Sequence, residues 1–151
     1  MTGIFTYCLR GILLPALLII LLFTDNVLSS GEAVEVITHP GTNVNYLSKN
    51  LLRSVFSMRL RTWQNGVPIR VFVLPDDAPL HNIFAKKKLN VFPYQLRSAW
   101  DRLVYSGTGQ APLVVHSEEE MRTKIATTPG SIGYLSEIKI DGSVQIIHIN
   151  E

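Results

Sequence analysis

Three phrases stand in a fixed order in this sequence: Ser54-Val55-Phe56 leading to Trp63-Gln64-Asn65-Gly66, then residues 100–109 (WDRLVYSGTG), then residues 129–134 (PGSIGY). None of them is a catalytic motif. Each combines large aromatic side chains with glycines, and glycine supplies the positive φ that tight turns require. The phrases therefore predict structural junctions, and their order becomes informative once the stretches between them are considered.

Strand-like stretches recur around these phrases. Residues 34–38 (VEVIT) are rich in β-branched side chains and are followed by Gly41, so they predict the first strand. Residues 67–74 carry apolar side chains at alternate positions and predict the second. Further short strands are predicted over residues 113–115, 132–135 and 144–149, the last of them after a turn at Asp141-Gly142.

Four helices are predicted between the strands. The first has apolar residues at helical spacing, with Asn45 or Ser48 as its N-cap: Leu47, Leu51, Leu52, Val55 and Phe56. The second opens with Asp76-Asp77-Ala78-Pro79 and covers residues 80–87. The third begins at Pro93 and has an apolar stripe of Phe92, Leu96, Trp100 and Leu103. The fourth follows Ser117, which forms a capping box with Glu120.

The amino-terminal segment predicts export. Residues 11–23 (GILLPALLIILLF) form an uninterrupted apolar run after Arg10, which is typical of a secretory signal. The run is shorter than the roughly 20 apolar residues that a membrane-spanning helix needs. We therefore predict a signal peptide over residues 1–31 and a domain over residues 32–151. The alternative is an uncleaved anchor, and in either case the domain is expected in the periplasm.

Composition excludes several classes of function for the exported domain. The only cysteine, Cys8, precedes the apolar run, so the domain has no disulfide, thiolate nucleophile or cysteine metal site. A net charge of +2 is too small to indicate nucleic-acid binding, and Lys86-Lys87-Lys88 is the only basic run. No nucleophile elbow, phosphate-binding P-loop or zinc-protease motif occurs. We predict no enzyme activity and no cofactor.

From residue 34 onward the ordered phrases resemble the phosphate-binding proteins of ABC importers. The residues that carry the resemblance are Val55-Phe56, the turn at Trp63-Gln64-Asn65-Gly66, Tyr105-Ser106-Gly107 and residues 129–134. The resemblance implies an α/β fold, a single lobe of the periplasmic-binding-protein type II kind, with a mixed sheet flanked by about four helices. In full-length relatives two lobes close over the anion, and this chain has residues for about one lobe.

The resemblance also implies a ligand site. The relatives typically have an arginine and a Ser-Gly-Thr turn after the strand that matches residues 69–74, where hydroxyls and a helix N-terminus hold the oxyanion. Here that stretch contains Asp76 and Asp77 instead, which indicates a degenerate or altered site. The expected ligand-binding residues are Thr38, Thr42, Asn43, Asp76, Asp77 and His81. Asp76, Asp77 and His81 could also ligate a metal, but acids at a helix start are common capping residues, so no metal is predicted.

Two functional hypotheses follow. The first is a non-catalytic receptor for phosphate or another small anion, which delivers it to an ABC transporter permease. The second is a structural or protein-interaction module of the bacterial envelope that retained the lobe and lost the ligand. Under either hypothesis, contact with a membrane is expected only through the amino-terminal segment.

Overall fold

The folded domain is a mixed six-stranded sheet with helices on both faces. The structure is a computed structural model that describes residues 33–150, and the predicted signal segment with Cys8 lies outside them. The strands are β1 (Val34–Thr38), β2 (Tyr46–Ser48), β3 (Arg70–Val73), β4 (Leu113–Val114), β5 (Ser131–Ser136) and β6 (Gln145–Asn150). The helices are α1 (Lys49–Phe56), α2 (Pro79–Lys87), α3 (Pro93–Tyr105) and α4 (Glu118–Thr127).

The strand order is β2-β6-β1-β5-β3-β4. Strands β4, β3 and β5 run parallel to one another, whereas β1 is antiparallel to both of its neighbours, β5 and β6. The ends of β3, β4 and β5 therefore lie together, and we call this the carboxyl end of the sheet. Because β1 runs the other way, its last residue lies at the opposite end.

The core is built around β5, in which every residue is buried. Tyr134 projects from one face, where its ring packs against Phe56 of α1 and Phe84 of α2. The neighbouring residue, Gly133, faces α4, and a Cβ at that position would press against Met121 and Ile125. Side chains of successive strand residues point to opposite faces, so α1 and α2 cover one face of β5 and α4 covers the other.

Two buried indoles connect the three phrases of the sequence. Trp63 Nε1 donates a hydrogen bond to the carbonyl oxygen of Gly130 at 2.9 Å. Trp100 Nε1 donates to the carbonyl oxygen of Phe56 at 2.8 Å. A buried indole needs such an acceptor, because an unpaired N–H away from water is costly. The phrases therefore hold the first helix, α3 and the start of β5 in fixed relative positions.

The predicted α/β lobe, with its mixed sheet and four helices, is confirmed. Strand β1 has the predicted limits, and Ser48 is the N-cap of α1, with its Oγ accepting from Leu51 N at 3.2 Å. Leu47, predicted as part of the first helix, instead belongs to the short strand β2. Leu47 is nonetheless buried, because β2 pairs with β6 and brings it against the same core.

Two helix predictions also need correction. Phe92 was expected on the buried stripe of α3 but is 52% exposed, because it lies before the first helical turn and points away from the core. At α4, Ser117 Oγ accepts from Glu120 N as predicted, whereas Glu120 Oε2 accepts from the backbone N–H of His116 rather than that of Ser117. Two backbone N–H groups at the helix start, those of His116 and Glu120, therefore still have side-chain acceptors.

Gly130 provides a test of how closely the phrases pack. Its φ is +76°, and a Cβ would overlap the Pro68 carbonyl and the Val67 side chain. Gly66 has a similar φ of +83° but open space around it. We expect Gly130→Ala to lower the free energy of unfolding by more than about 2 kcal/mol, and Gly66→Ala by about 1 kcal/mol, since only the first adds overlap to backbone strain. Urea denaturation measures both, and equal losses would contradict this packing.

Candidate functional site

The candidate site lies at the carboxyl end of the sheet, where β3 leads into α2. Ligands of open α/β sheets characteristically bind beyond the carboxyl ends of the strands. Here the helix begins with Ala78 as N-cap, without a side-chain hydrogen bond, and with Pro79 as the first helical residue. Proline has no backbone N–H. The start of α2 therefore offers an incoming anion only the N–H groups that follow Pro79. Residues 75–79 (PDDAP) contain no serine or threonine that could add a hydroxyl.

Asp76 forms a two-pronged ion pair with Arg97 of α3. Arg97 Nε donates to Oδ2 at 2.7 Å and Nη2 donates to Oδ1 at 2.9 Å. The hydrogen bond from Arg97 holds the pKa of Asp76 below its ordinary value, and the same bond raises the pKa of Arg97. Both groups are therefore charged at neutral pH. Each carboxylate oxygen is used, and the guanidinium is already neutralised by a neighbour.

Tyr134 connects the sheet to α2 beneath this ion pair. Its hydroxyl oxygen accepts a hydrogen bond from the backbone N–H of Leu74 at 2.9 Å and lies 2.6 Å from His81 Nδ1. The hydroxyl has one proton of its own, and His81 Nδ1 is the acceptor in reach. His81 therefore has its own proton on Nε2, if the ring is neutral.

His81 is fully buried, which disfavours the charged form of its ring, so the ring is neutral at pH 7. Burial lowers its pKa from the ordinary value, and the nearby charge of Asp76 opposes this only in part. Burial likewise raises the pKa of Tyr134 well above its ordinary value, so the phenol stays protonated. Among the described residues, His81 Nε2 is a buried side-chain nitrogen without a hydrogen-bond partner.

Further carboxylates surround the carboxyl end of the sheet. Asp77 is exposed beside Asp76, and Glu137 is exposed directly after β5. The start of α4 lies at the same end and adds Glu118, Glu119 and Glu120. Of these, Glu118 accepts from the N–H and the hydroxyl of Ser136, at 2.8 and 2.6 Å, and Glu119 pairs with Lys139 at 2.8 Å. The field at this end therefore opposes the approach of an anion.

The residues predicted to bind a ligand fall into two separate groups. Thr38 pairs with Ile132, which also pairs with Val71 near the start of β3. Asp76 follows the other end of β3, and Thr42 and Asn43 continue from β1 in the opposite direction. The structure thus brings together Asp76, Asp77 and His81, and separately Thr38, Thr42 and Asn43. The single site that the sequence predicts over all six residues would have to span both groups, and ligand binding by either group stays a prediction.

The second group has its own surroundings. Thr38 is fully buried, and its hydroxyl donates to the carbonyl of Ser131 at 2.6 Å and lies 3.1 Å from the hydroxyl of Thr42. Asn43 is exposed with a positive φ of 56°. Thr42 and Asn43 line an open groove of about 780 Å³ with Trp63 and other largely apolar residues. Ligand binding by these residues stays a prediction.

Sequence reasoning missed the two side chains that define the site. Arg97 is 21 residues from Asp76 along the chain, and its only signal is a positive charge one turn before Trp100. Tyr134 was assigned to the framework of the fold, since nothing in the sequence shows where its hydroxyl ends. Among residues 33–150, no group of three or more His, Cys, Asp or Glu side chains is placed to hold a metal ion.

Comparisons with known proteins locate this fold. No family model matches the sequence, and no curated protein matches it. Solved structures do match. An ABC-type phosphate transport receptor from Vibrio cholerae has a TM-score of 0.61 at 16% identity, over 77% of this chain and 45% of its own. A candidate phosphate ABC transporter substrate-binding protein from Clostridium perfringens, solved with bound phosphate, has a TM-score of 0.64 at 16% identity, over 77% of this chain and 44% of its own.

A third match is PstS from Borrelia burgdorferi, with a TM-score of 0.60 at 19% identity, over 79% of this chain and 47% of that protein. The resemblance to the phosphate-binding proteins of ABC importers is therefore confirmed for the fold. These neighbours are binding proteins rather than enzymes. The chain spans less than half the length of each of them.

The hydroxyl of Tyr134 can be tested by removal. Tyr134→Phe keeps the ring stacked on Phe84, whose centroid is 3.9 Å away, but leaves the buried N–H of Leu74 without its acceptor. We expect the free energy of unfolding to fall by about 1–3 kcal/mol. Tyr94→Phe is the matched control, because Tyr94 is 66% exposed and should show little change. Denaturant unfolding that gave the two variants the same stability would rule out the bridge.

His81 makes stability depend on pH in a defined window. The unfolded chain protonates this residue near pH 6.5, whereas the folded pKa is lower because of burial. The contribution of His81 to stability is therefore fully present above about pH 6.5. It is lost as the pH falls from about 6.5 through the folded pKa, and the free energy of unfolding then falls by at most about 1.4 kcal/mol per pH unit. Urea titrations at pH 7.5, 6.5 and 5.5 should show this loss.

The variant His81→Gln should flatten that dependence, because the glutamine does not titrate. His116→Gln, at an exposed position, serves as the control and should keep the wild-type dependence. An unchanged slope in His81→Gln would mean that another group causes the loss.

Proposed function

We propose that this chain is an exported, non-catalytic binding domain with the solute-receptor fold, in which the anion position is closed from within, and that it binds a protein of the cell envelope. The neighbours with bound or transported phosphate support the fold. The position of the site is inferred from the resemblance seen in the sequence. The residues at the start of α2 differ from the phosphate donors that the resemblance implies. The proposal corresponds to the second hypothesis from the sequence.

The ion pair of Asp76 with Arg97 carries this proposal. Asp76 occupies the Nε–Nη2 edge of the Arg97 guanidinium at 2.7 and 2.9 Å, and Asp101 Oδ1 lies 4.0 Å from Nη1. A phosphate at either edge would therefore have to displace a carboxylate or bind beside one. Displacement would leave that carboxylate beside the phosphate, as a second negative charge. Because Pro79 also lacks an N–H, the start of α2 has little with which to compensate.

Location in the envelope rests on the amino-terminal sequence and on the kind of neighbour. Residues 11–23 have the pattern of an export signal, and the V. cholerae neighbour is a transport receptor. No helix within residues 33–150 has the length and apolar character that crossing a bilayer requires. The partner in this proposal is a transporter permease or another envelope protein that contacts the carboxyl end of the sheet.

A small-anion receptor is the second candidate, and one observation favours it. His81 Nε2 is a buried donor without a hydrogen-bond partner among the described residues, next to a helix N-terminus. Such a donor is unusual in a folded protein and suits an acceptor from outside. In this candidate Asp76, Asp77 and His81 contact the anion, whereas Thr38, Thr42 and Asn43 line a separate region.

Calorimetric titration with inorganic phosphate at pH 7 separates the two candidates. We expect no saturable heat from the wild type at millimolar phosphate. Asp76→Ala should gain measurable binding, because it releases the Nε and Nη2 donors of Arg97 and removes one negative charge, while Asp101 Oδ1 stays 4.0 Å from Nη1. Asp77→Ala is the matched control, since it removes the same charge one residue away but leaves the ion pair intact.

Saturable micromolar binding by the wild type would instead establish the anion receptor, and weaker binding by Asp77→Ala would then support Asp77 as a contact. Failure of Asp76→Ala to gain binding would show that the ion pair is not what closes the site. In-cell crosslinking is the complementary measurement for the protein partner. A chain that yields neither phosphate binding nor a specific crosslinked product would contradict both candidates.

A further inference from the structure

A basic aromatic patch covers the turn between α2 and α3. We define it by Lys86, Lys87, Phe92 and Tyr94. Phe92 is 52% exposed and Tyr94 is 66% exposed, although both are large rings. The two rings stack with centroids 5.7 Å apart and planes 15° apart, and Lys86 Nζ lies 5.9 Å from the centroid of Phe92. The patch is thus an ordered cluster rather than a set of scattered exposed residues.

The charge of the patch is not neutralised locally. Lys88, the third lysine of the run, donates to both carboxylate oxygens of Glu35 at 3.0 Å. Within residues 33–150, neither Lys86 nor Lys87 forms an ion pair. Both are exposed: Lys86 contacts the Phe92 ring, and Lys87 adds a second positive charge at the next position of α2.

Local stability accounts for only part of this arrangement. Lysines in the last turn of α2 interact favourably with the negative end of the helix dipole. Phe92 has no comparable local role, because it is the N-cap of α3 and has no side-chain acceptor for the first N–H groups. Serine, threonine, aspartate and asparagine are strongly preferred at N-caps. Gln95 Oε1 accepts from the Phe92 N–H at 2.8 Å, which caps the helix without using the ring.

We propose that the basic aromatic patch binds the surface of a bilayer that contains anionic lipids. Aromatic side chains are enriched at the membrane interface, where their rings lie among the headgroups. Lysines close to an anionic surface add electrostatic attraction, and the attraction weakens as salt screens it. The patch combines both features on one exposed turn. Its positive charge complements the lipid phosphates, which identifies the bilayer as the occupant.

The position of the patch in the chain supports this occupant. The ion pair of Lys88 with Glu35 holds the end of α2 beside β1, the first strand of the domain. The apolar run of residues 11–23 precedes that strand by ten residues, 24–33. If the run stays in a membrane as an anchor, the patch would act as a second, electrostatic contact with a bilayer. Where it is cleaved, the patch is a separate peripheral contact.

Vesicle flotation of the full chain tests the proposal. The probes are vesicles of phosphatidylcholine alone and vesicles with 40 mol% phosphatidylglycerol added, each at low and high salt. The measured quantity is the difference in bound fraction between the two vesicle types, because an apolar amino-terminal segment would contribute to both. We expect selective binding to the anionic vesicles, which weakens at high salt.

The double variant Lys86→Gln with Lys87→Gln should reduce the selective binding by about fivefold per lysine. The double variant Phe92→Ser with Tyr94→Ser should reduce it as well. Phe92→Ser also supplies the hydroxyl that the N-cap lacks, so its melting temperature should be unchanged or higher, and loss of binding is then not due to unfolding.

Matched controls change the same residue types elsewhere. Arg102→Gln with Lys124→Gln removes two exposed positive charges, and Tyr46→Ser with Tyr105→Ser removes two exposed rings. Both controls should bind like the wild type. Equal binding to the two vesicle types, equal losses in patch and control variants, or full binding by either patch variant would overturn the proposal.

Discussion

The hydroxyl of Tyr134 is bonded to two elements besides its own strand, and the candidate site depends on that bridge. It accepts from Leu74, at the end of β3, and donates to His81 in α2, while its ring stacks on Phe84 of the same helix. The start of α2 is therefore fixed against the carboxyl end of the sheet. Asp76 lies between these two anchored points, where Arg97 can reach it. Displacing Asp76 would require movement next to the buried hydrogen bond between Tyr134 and His81. Breaking that bond would be costly, because it would leave buried polar groups without partners.

The fold could be predicted because its signals are local. Residues 34–38 have the β-branched composition of a strand, and β1 occupies those residues. The phrases with Trp63 and Trp100 carried the resemblance, but the bonds that their indoles make reach 67 and 44 residues along the chain and were not predicted. Leu47 could not be assigned from spacing, because a three-residue strand that leads directly into a helix leaves no separate periodicity. Phe92 continued an apolar stripe by spacing alone, whereas the helix begins after it.

The site could not be predicted to the same extent, because strand direction decides it. Thr38 ends β1, and Asp76 follows β3. From the order of the sequence alone, the two strand ends look equivalent. In the structure β1 is antiparallel to β5, so the two residues lie toward opposite ends of the sheet. The partner of Asp76 lies on α3 rather than in the same loop. Two acids in place of phosphate donors predict an altered site, which stays a prediction, and only the structure shows the arginine that neutralises one of them.

The start of α2 is acidic and its end is basic. Because these charges are separated, a protein partner at one end is compatible with a bilayer at the other. Asp76 and Asp77 precede the helix, and Lys86 and Lys87 occupy its last turn, an order that suits the helix dipole at both ends. A helix of nine residues is about 13 Å long, which exceeds the screening length of about 8 Å at physiological salt. The acidic end therefore does little to weaken attraction of the lysines to anionic lipid. By the same screening, a bilayer at the basic aromatic patch would act little on the acidic carboxyl end of the sheet, and that end stays available to a protein partner.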